Sequence, residues 1–196
     1  MVRKITEQDV VGLYLNDYGR RIYLREMADL LGKPHQTIKP YIEKLIATGV
    51  LTEVRRRKIV EYGLNFSDFR MYDYLVLAEK KKLLERLESD SMLKVLFEKL
   101  SGFFGSAAFV IFGSAVGGLK KGSDIDLLVV GTEKVDSVLK EFEEVYDKKI
   151  HKVQVSSFGE VDKVLIKEIY KKHLILNDTE KIVRFFGELH GNNRLV

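Results

Sequence analysis

The sequence predicts an α+β protein built from two unlike halves, and three observations carry that prediction. Apolar residues recur at helical spacing through much of residues 6–49 and are followed by two strand-like runs around Arg55-Arg56-Arg57-Lys58. A long helical pattern then covers residues 66–100, and from Ala107 onward apolar strands alternate with amphipathic helices. The expected layout is a helical module closed by a hairpin (residues 1–66), a helical connector (67–105), and an α/β domain with a small mixed sheet (106–196).

Taken in order, Thr6 can cap a helix running to about Asn16. Ile22–Leu24 is a short extended piece, and Arg25–Leu31 a second helix stopped by Gly32. A third helix follows Lys33-Pro34 and carries Ile38, Ile42, Leu45 and Ile46. Pro40 is tolerable only within its first turn, which moves the expected start toward Thr37. Val50–Val54 and Ile59–Leu64 form the hairpin. The connector reads as a helix over Phe66–Glu88, with a basic patch at Lys80-Lys81-Lys82, and a second over Asp90–Leu100. Beyond it come strands at Ala107–Phe112, Asp124–Val130 and Lys149–Ser157, a short one at Leu174–Leu176, and helices at Glu133–Tyr146, Glu160–Tyr170 and Asp178–Leu189.

Hydrophobic content of 45% and 32% charged residues are globular values, and the absence of cysteine excludes disulfides and thiolate chemistry. No apolar run approaches the length of a bilayer span, and Arg3 and Lys4 precede a polar helix rather than a signal-peptide core; a cytoplasmic protein without membrane attachment is expected. The net charge of +4 is unevenly spread: residues 1–66 hold 12 Lys/Arg against 8 Asp/Glu, whereas the remainder is balanced. That asymmetry points to a polyanion-binding module joined to a neutral one.

The N-terminal order of elements, with LREMADLLG, a following helix and ATGVLTE, resembles a winged helix-turn-helix domain. The resemblance implies double-stranded DNA as partner, with the third helix in the major groove and the wing on the phosphates. Matched by position, His35, Gln36, Thr37, Lys39, Tyr41 and Lys44 lie on or before that helix, and Arg55, Arg56, Arg57 and Lys58 form the wing tip. A homodimer would suit such a module. The alternative is a winged helix used for protein contacts.

The densest chemical signal lies in Gly113-Ser114, nine residues, then Asp124-Ile125-Asp126. On a strand the two carboxylates share one face while Ile125 and Leu127 take the other. Like charges so placed are costly unless a divalent cation offsets them. FGSAVGGLKKGSDIDLLVV, with HLILND near the C-terminus, resembles the DNA polymerase β-type nucleotidyltransferase superfamily, and its minimal prokaryotic members in particular. The resemblance implies Mg²⁺ between Asp124, Asp126 and the triphosphate of ATP or another nucleotide. It places Gly113, Ser114 and Ser123 at the phosphates, with Lys120 and Lys121 offsetting charge in the loop. It further implies transfer of a nucleoside monophosphate, AMP from ATP, to a protein or small-molecule hydroxyl, and a small helical partner protein.

Family members carry a third carboxylate on the next strand. With Val153 and Val155 taken as the core face, Lys152, Gln154 and Ser156 should face the site, and Gln154 stands at the third-carboxylate position. An amide there would remove a base and a charge. Two readings follow: a DNA-binding transcriptional regulator with a Mg²⁺-dependent nucleotidyltransferase domain, or a regulator whose transferase-like domain senses nucleotide or binds a partner without turnover. His151 falls on the core face in this reading, and His35, His173 and His190 are isolated.

Overall fold

Helix α1 (Glu7–Val11) begins at Thr6, whose N–H donates to Asp9 Oδ2 at 2.8 Å. The computed structural model to which it belongs describes residues 4–56, 59–119 and 123–191. α1 stops well short of Asn16. At Gly12, a weak helix former, the chain tightens into a 3-10 turn (Gly12–Tyr14), which buries Tyr14 and lets its hydroxyl donate to the Tyr62 carbonyl at 2.9 Å.

Strand β1 (Ile22–Tyr23) leads into α2 (Leu24–Leu31), which Gly32 ends in the left-handed region at φ 59°. α3 spans His35–Ala47, so Pro40 is its sixth residue rather than part of its first turn. Both Pro40 and Gln36 are exposed, so the carbonyl that Pro40 cannot serve faces water. β2 (Leu51–Arg56) and β3 (Ile59–Leu64) pair antiparallel, with Leu51 opposite Leu64, and β1 adds to β3 to give the order β1-β3-β2.

The connector helix begins at Arg70, not Phe66: α4 spans Arg70–Ser89. Asn65 forms an Asx turn, its Oδ1 accepting from the Ser67 N–H at 3.2 Å, and Phe66 stacks on His190. α5 (Ser91–Ser101) is capped by Asp90, which accepts from the Leu93 N–H at 3.0 Å.

The second sheet contains β4 (Ala108–Phe112), β5 (Ile125–Val130), β6 (Ile150–Val155) and β7 (His173–Ile175), in the order β6-β5-β4-β7. β5 and β6 are parallel and the other pairs antiparallel, so the sheet is mixed, as expected. A 3-10 turn (Gly113–Gly117) leaves β4; α6 (Asp136–Tyr146), α7 (Lys163–Lys171) and α8 (Thr179–Gly191) complete the domain.

Both faces of this sheet are covered. One core holds Phe109, Ile111, Ile125, Leu127 and Val129 against α5 and α6. The other runs from Tyr14, Met27 and Leu45 through Met71 and Leu75 of α4 to Val110, Phe112, Leu128 and Phe186. The N-terminal elements and the second sheet therefore share one hydrophobic core. Polar ties reinforce it: the Tyr18 N–H donates to the Tyr170 hydroxyl, and Lys81 on α4 pairs with Asp9 of α1 at 2.7 Å. Lys81 also meets Glu85, and Lys82 meets Glu79, so two lysines of the expected basic patch are engaged in ion pairs. Among the described residues no helix is long and apolar enough to cross a membrane.

Candidate nucleotide and cation site

Asp126 lies one residue into β5 and Asp124 immediately precedes that strand, with Ile125 between them fully buried. This is the alternation the sequence implies, and it leaves both carboxylates on one face, with side chains 46% and 32% exposed. Across the sheet Asp126 sits opposite Phe112 on β4. The chain then turns at Gly113, with φ 69°. The backbone favours glycine there, and a Cβ on Gly113 would lie 2.7 Å from Asp126 Oδ2, so a larger residue would also make that carboxylate shift.

The Gly113 N–H donates to the Lys172 carbonyl at 3.2 Å, which anchors the chain entering β7. That amide is engaged within the fold rather than turned toward a phosphate. Ser114 is exposed at the start of the 3-10 turn. Further along, the Leu119 N–H donates to Asp90 Oδ2 at 3.0 Å, and Asp90 also pairs with Arg86 of α4 at 3.2 Å. Lys120 and Lys121 lie outside the described residues. The Ser123 carbonyl accepts from the Lys148 ammonium at 3.1 Å. Ser123, Asp124, Glu143, Asp147, Lys148 and Lys149 line a polar cleft of about 270 Å³; Glu143 comes from the last turn of α6 and residues 147–149 from the α6–β6 connection, so nothing local in the sequence ties them to Asp124.

The expectation for Gln154 is overturned by the register of β6. In the parallel β5–β6 pair Asp126 stands opposite His151, and Gln154 opposite Val129 on the other face. Gln154 closes the turn after β5: its amide donates to the carbonyls of Gly131 at 3.0 Å and Glu133 at 2.9 Å, and its oxygen accepts from Lys152 at 2.9 Å. Lys152 in turn reaches Asp136 at 2.5 Å. Val153 and Val155 are apolar because they continue the row of Asp126, Leu128 and Val130 into the core shared with the N-terminal elements. An apolar residue does not mark the face opposite the carboxylates when both faces are buried.

His151 occupies the place assigned to Gln154. Its Nδ1 lies 3.4 Å from Asp126 Oδ1 and its Nε2 3.7 Å from Asp124 Oδ2, and the side chain is 60% exposed. The signal was present in the chain: Ile150-His151 repeats Ile125-Asp126 at the start of a parallel neighbour. Among the described residues no group of three or more His, Asp or Glu side chains could hold a metal ion by itself. Two open carboxylates suit a cation that takes its remaining ligands from water and substrate phosphates, as Mg²⁺ usually does.

On the N-terminal module His35, Gln36, Thr37 and Lys39 are exposed along the first turns of α3. Tyr41 is half-buried against the core, and Lys44 is ion-paired to Glu7 of α1, which holds the Glu7 carboxyl below its ordinary range. Arg55 pairs with Glu53 on its own strand at 2.7 Å. The Arg56 side chain, Arg57 and Lys58 lie outside the described residues.

Residues 94–181 match the family model described as Polymerase beta, Nucleotidyltransferase. No curated protein matches the chain. Among solved structures, a crystal structure of a mutant of the toxin-antitoxin MntA-HpeT is similar at 14% identity and a TM-score of 0.36, covering 53% of this chain and 92% of that one. Pseudomonas aeruginosa HmgR is similar at 17% identity and a TM-score of 0.26, covering 65% of this chain and 47% of that one. The family match begins inside α5 and ends in α8, and so encloses β4, the glycine turn, the two aspartates and His151. Over residues 94–181, then, the chain is similar to nucleotidyltransferase domains of the polymerase β type.

Proposed function

We propose that this chain is a DNA-binding regulator whose nucleotidyltransferase-fold domain binds a nucleoside triphosphate together with a divalent cation. The observation that carries the reading is the pair Asp124 and Asp126, held open on one face beside the left-handed Gly113, where a Cβ would lie 2.7 Å from Asp126 Oδ2. Asp124 and Asp126 would hold the cation. When bound, that ion offsets triphosphate charge and polarises the phosphoryl group under attack. Ser114, exposed at the head of the 3-10 turn, would donate its hydroxyl to a phosphate oxygen. The buried Lys148 fixes the Ser123 carbonyl and so the approach of the chain to Asp124.

The test is binding and turnover of labelled nucleoside triphosphates with Mg²⁺, in wild type and in Asp124→Asn/Asp126→Asn. Cation-dependent binding that the double substitution abolishes is expected; binding indifferent to it would refute the site. A labelled product on protein or small molecule would add transfer to binding. His151 in place of a carboxylate favours the second reading, a nucleotide sensor without turnover, because one acidic ligand and base is absent.

The DNA-binding part rests on the order of α1, β1, α2, α3, β2 and β3, and on the exposed polar turn of α3. Double-stranded DNA affinity should fall steeply with salt. Lys39→Ala should reduce that slope by about one phosphate contact, read by titration at several salt concentrations. An unchanged slope in both Lys39→Ala and Arg55→Ala/Arg57→Ala would remove DNA from the proposal.

A further inference from the structure

We propose that the groove between α4, α5 and the start of α8 binds a small amphipathic monocarboxylate, with its apolar body in the groove and its carboxylate on Lys80. The groove encloses about 610 Å³, inside the range of about 300–1,000 Å³ that small-molecule sites occupy. Its lining includes none of Gly113, Ser114, Asp124, Asp126 and His151, so it is separate from the nucleotide site. Leu83 and Leu176 are buried at its base, and Leu84 is 59% exposed at its mouth. Phe97 and Phe104 pack edge to face between them, with ring centroids 5.1 Å apart. The walls are fixed before any ligand arrives. Asn177 donates to the carbonyls of Phe104 at 3.3 Å and Ala107 at 2.7 Å, and accepts from the Phe109 N–H at 2.8 Å.

Charge then selects the ligand. Two cations of the groove are neutralised within it: Lys181 pairs with Asp178 at 2.9 Å and Arg184 with Glu180 at 3.2 Å. Lys81 and Lys82, the neighbours of Lys80 in the basic run of α4, are engaged in ion pairs as well. Lys80 is left over, exposed on the groove and without an ion pair among the described residues. Apolar walls and one uncompensated positive charge suit an apolar monoanion, whose body is driven in by burial and whose carboxylate is oriented by one charge-assisted hydrogen bond. A cationic amphiphile would meet Lys80, and a polyanion would also meet Asp178 and Glu180. The competing occupant is a second copy of the chain seated on Leu84.

The experiment titrates the full chain with decanoate by calorimetry, with decanol and decyltrimethylammonium as controls of equal chain length, all below their micellar concentrations. Wild type is compared with Lys80→Ala, Lys80→Glu and Leu84→Asn; both positions are exposed, so the variants should keep the wild-type fold. One decanoate should bind per chain. Lys80→Ala should weaken decanoate about tenfold, as expected for loss of a hydrogen bond to a charged group, and leave decanol unchanged. Lys80→Glu should reverse the preference toward decyltrimethylammonium, and Leu84→Asn should weaken all three ligands. Absence of decanoate binding, an affinity unchanged in Lys80→Ala, or adsorption of several molecules per chain would each overturn the proposal. Self-association that Leu84→Asn abolishes, with no decanoate bound, would overturn it in favour of the second copy.

Discussion

Phe112 at the end of β4 has a histidine–carboxylate pair on either side, and the two differ in almost everything except composition. Its neighbour on β5 is Asp126, which with Asp124 faces His151 at 3.4 and 3.7 Å in the open. Its neighbour on β7 is His173, whose Nε2 meets Glu79 Oε1 of α4 at 2.7 Å with both side chains fully buried. His173 Nδ1 also lies 2.9 Å from the Ile169 carbonyl, so both ring nitrogens face acceptors. Buried and fully partnered, the second pair locks α4 to the sheet behind the glycine turn. The first is exposed and held only by ion-pair contacts of 3.4 and 3.7 Å. Burial, not residue type, separates a structural pair from a candidate site.

The comparison breaks most decisively at Glu79. Glu79→Ala leaves a buried histidine without its partner and should cost about 3–5 kcal/mol in chemical denaturation. The same carboxyl sets a pH dependence. Burial pushes Glu79 up, but His173 and Lys82 beside it outweigh that and hold it below the ordinary value of 4.5. A carboxyl lowered in the folded state contributes stability that is complete above its unfolded pKa and is lost as pH falls through the folded one. The stability gap between wild type and Glu79→Gln should therefore be constant above about pH 4.5 and narrow below it. A gap that widens in acid would show that Glu79 is not held ionised.

Gly113→Ala comes next. It places a side chain at φ 69° and against Asp126 Oδ2. About 1–3 kcal/mol of destabilisation is expected, together with weaker Mg²⁺-dependent binding of labelled nucleoside triphosphates. Lys81→Ala removes the tie between α4 and Asp9 of α1 and should cost about 1 kcal/mol. The smallest effect belongs to the exposed pair: His151→Ala should change stability by no more than about 0.5 kcal/mol in chemical denaturation. A large stability loss there would erase the distinction between the two pairs.

The site was legible where it depends on strand alternation within one segment. Asp124 and Asp126 share a face because β5 is extended, and Gly113 follows β4 because the turn needs a left-handed residue. Element types were legible too, including the mixed sheet, and boundaries moved where local polar chemistry intervened, as at Asn65, or where a weak helix former let the chain tighten, as at Gly12. His151 was not legible by the rule applied to it. That rule assumed one buried face, whereas α7 and α8 cover the face of Asp126 and α5 and α6 cover the other, so the valines of β6 lie on the aspartate side. Glu79 was equally hidden. Read within α4 it is one charge among many, and only its 94-residue separation from His173, closed by packing, gives it a partner.

By itself, then, the sequence determined the secondary-structure alphabet, the glycine turn, the aspartate pair and the basic bias of the first 66 residues. These follow from backbone sterics, side-chain periodicity and local charge, which act over a few residues. Tertiary structure alone decided which residue stands third beside the aspartates, which histidine is buried with a carboxylate, and that the N-terminal module and the second sheet share one core. Those outcomes depend on strand register and on which surfaces exclude water. Both are set by the packing of distant segments.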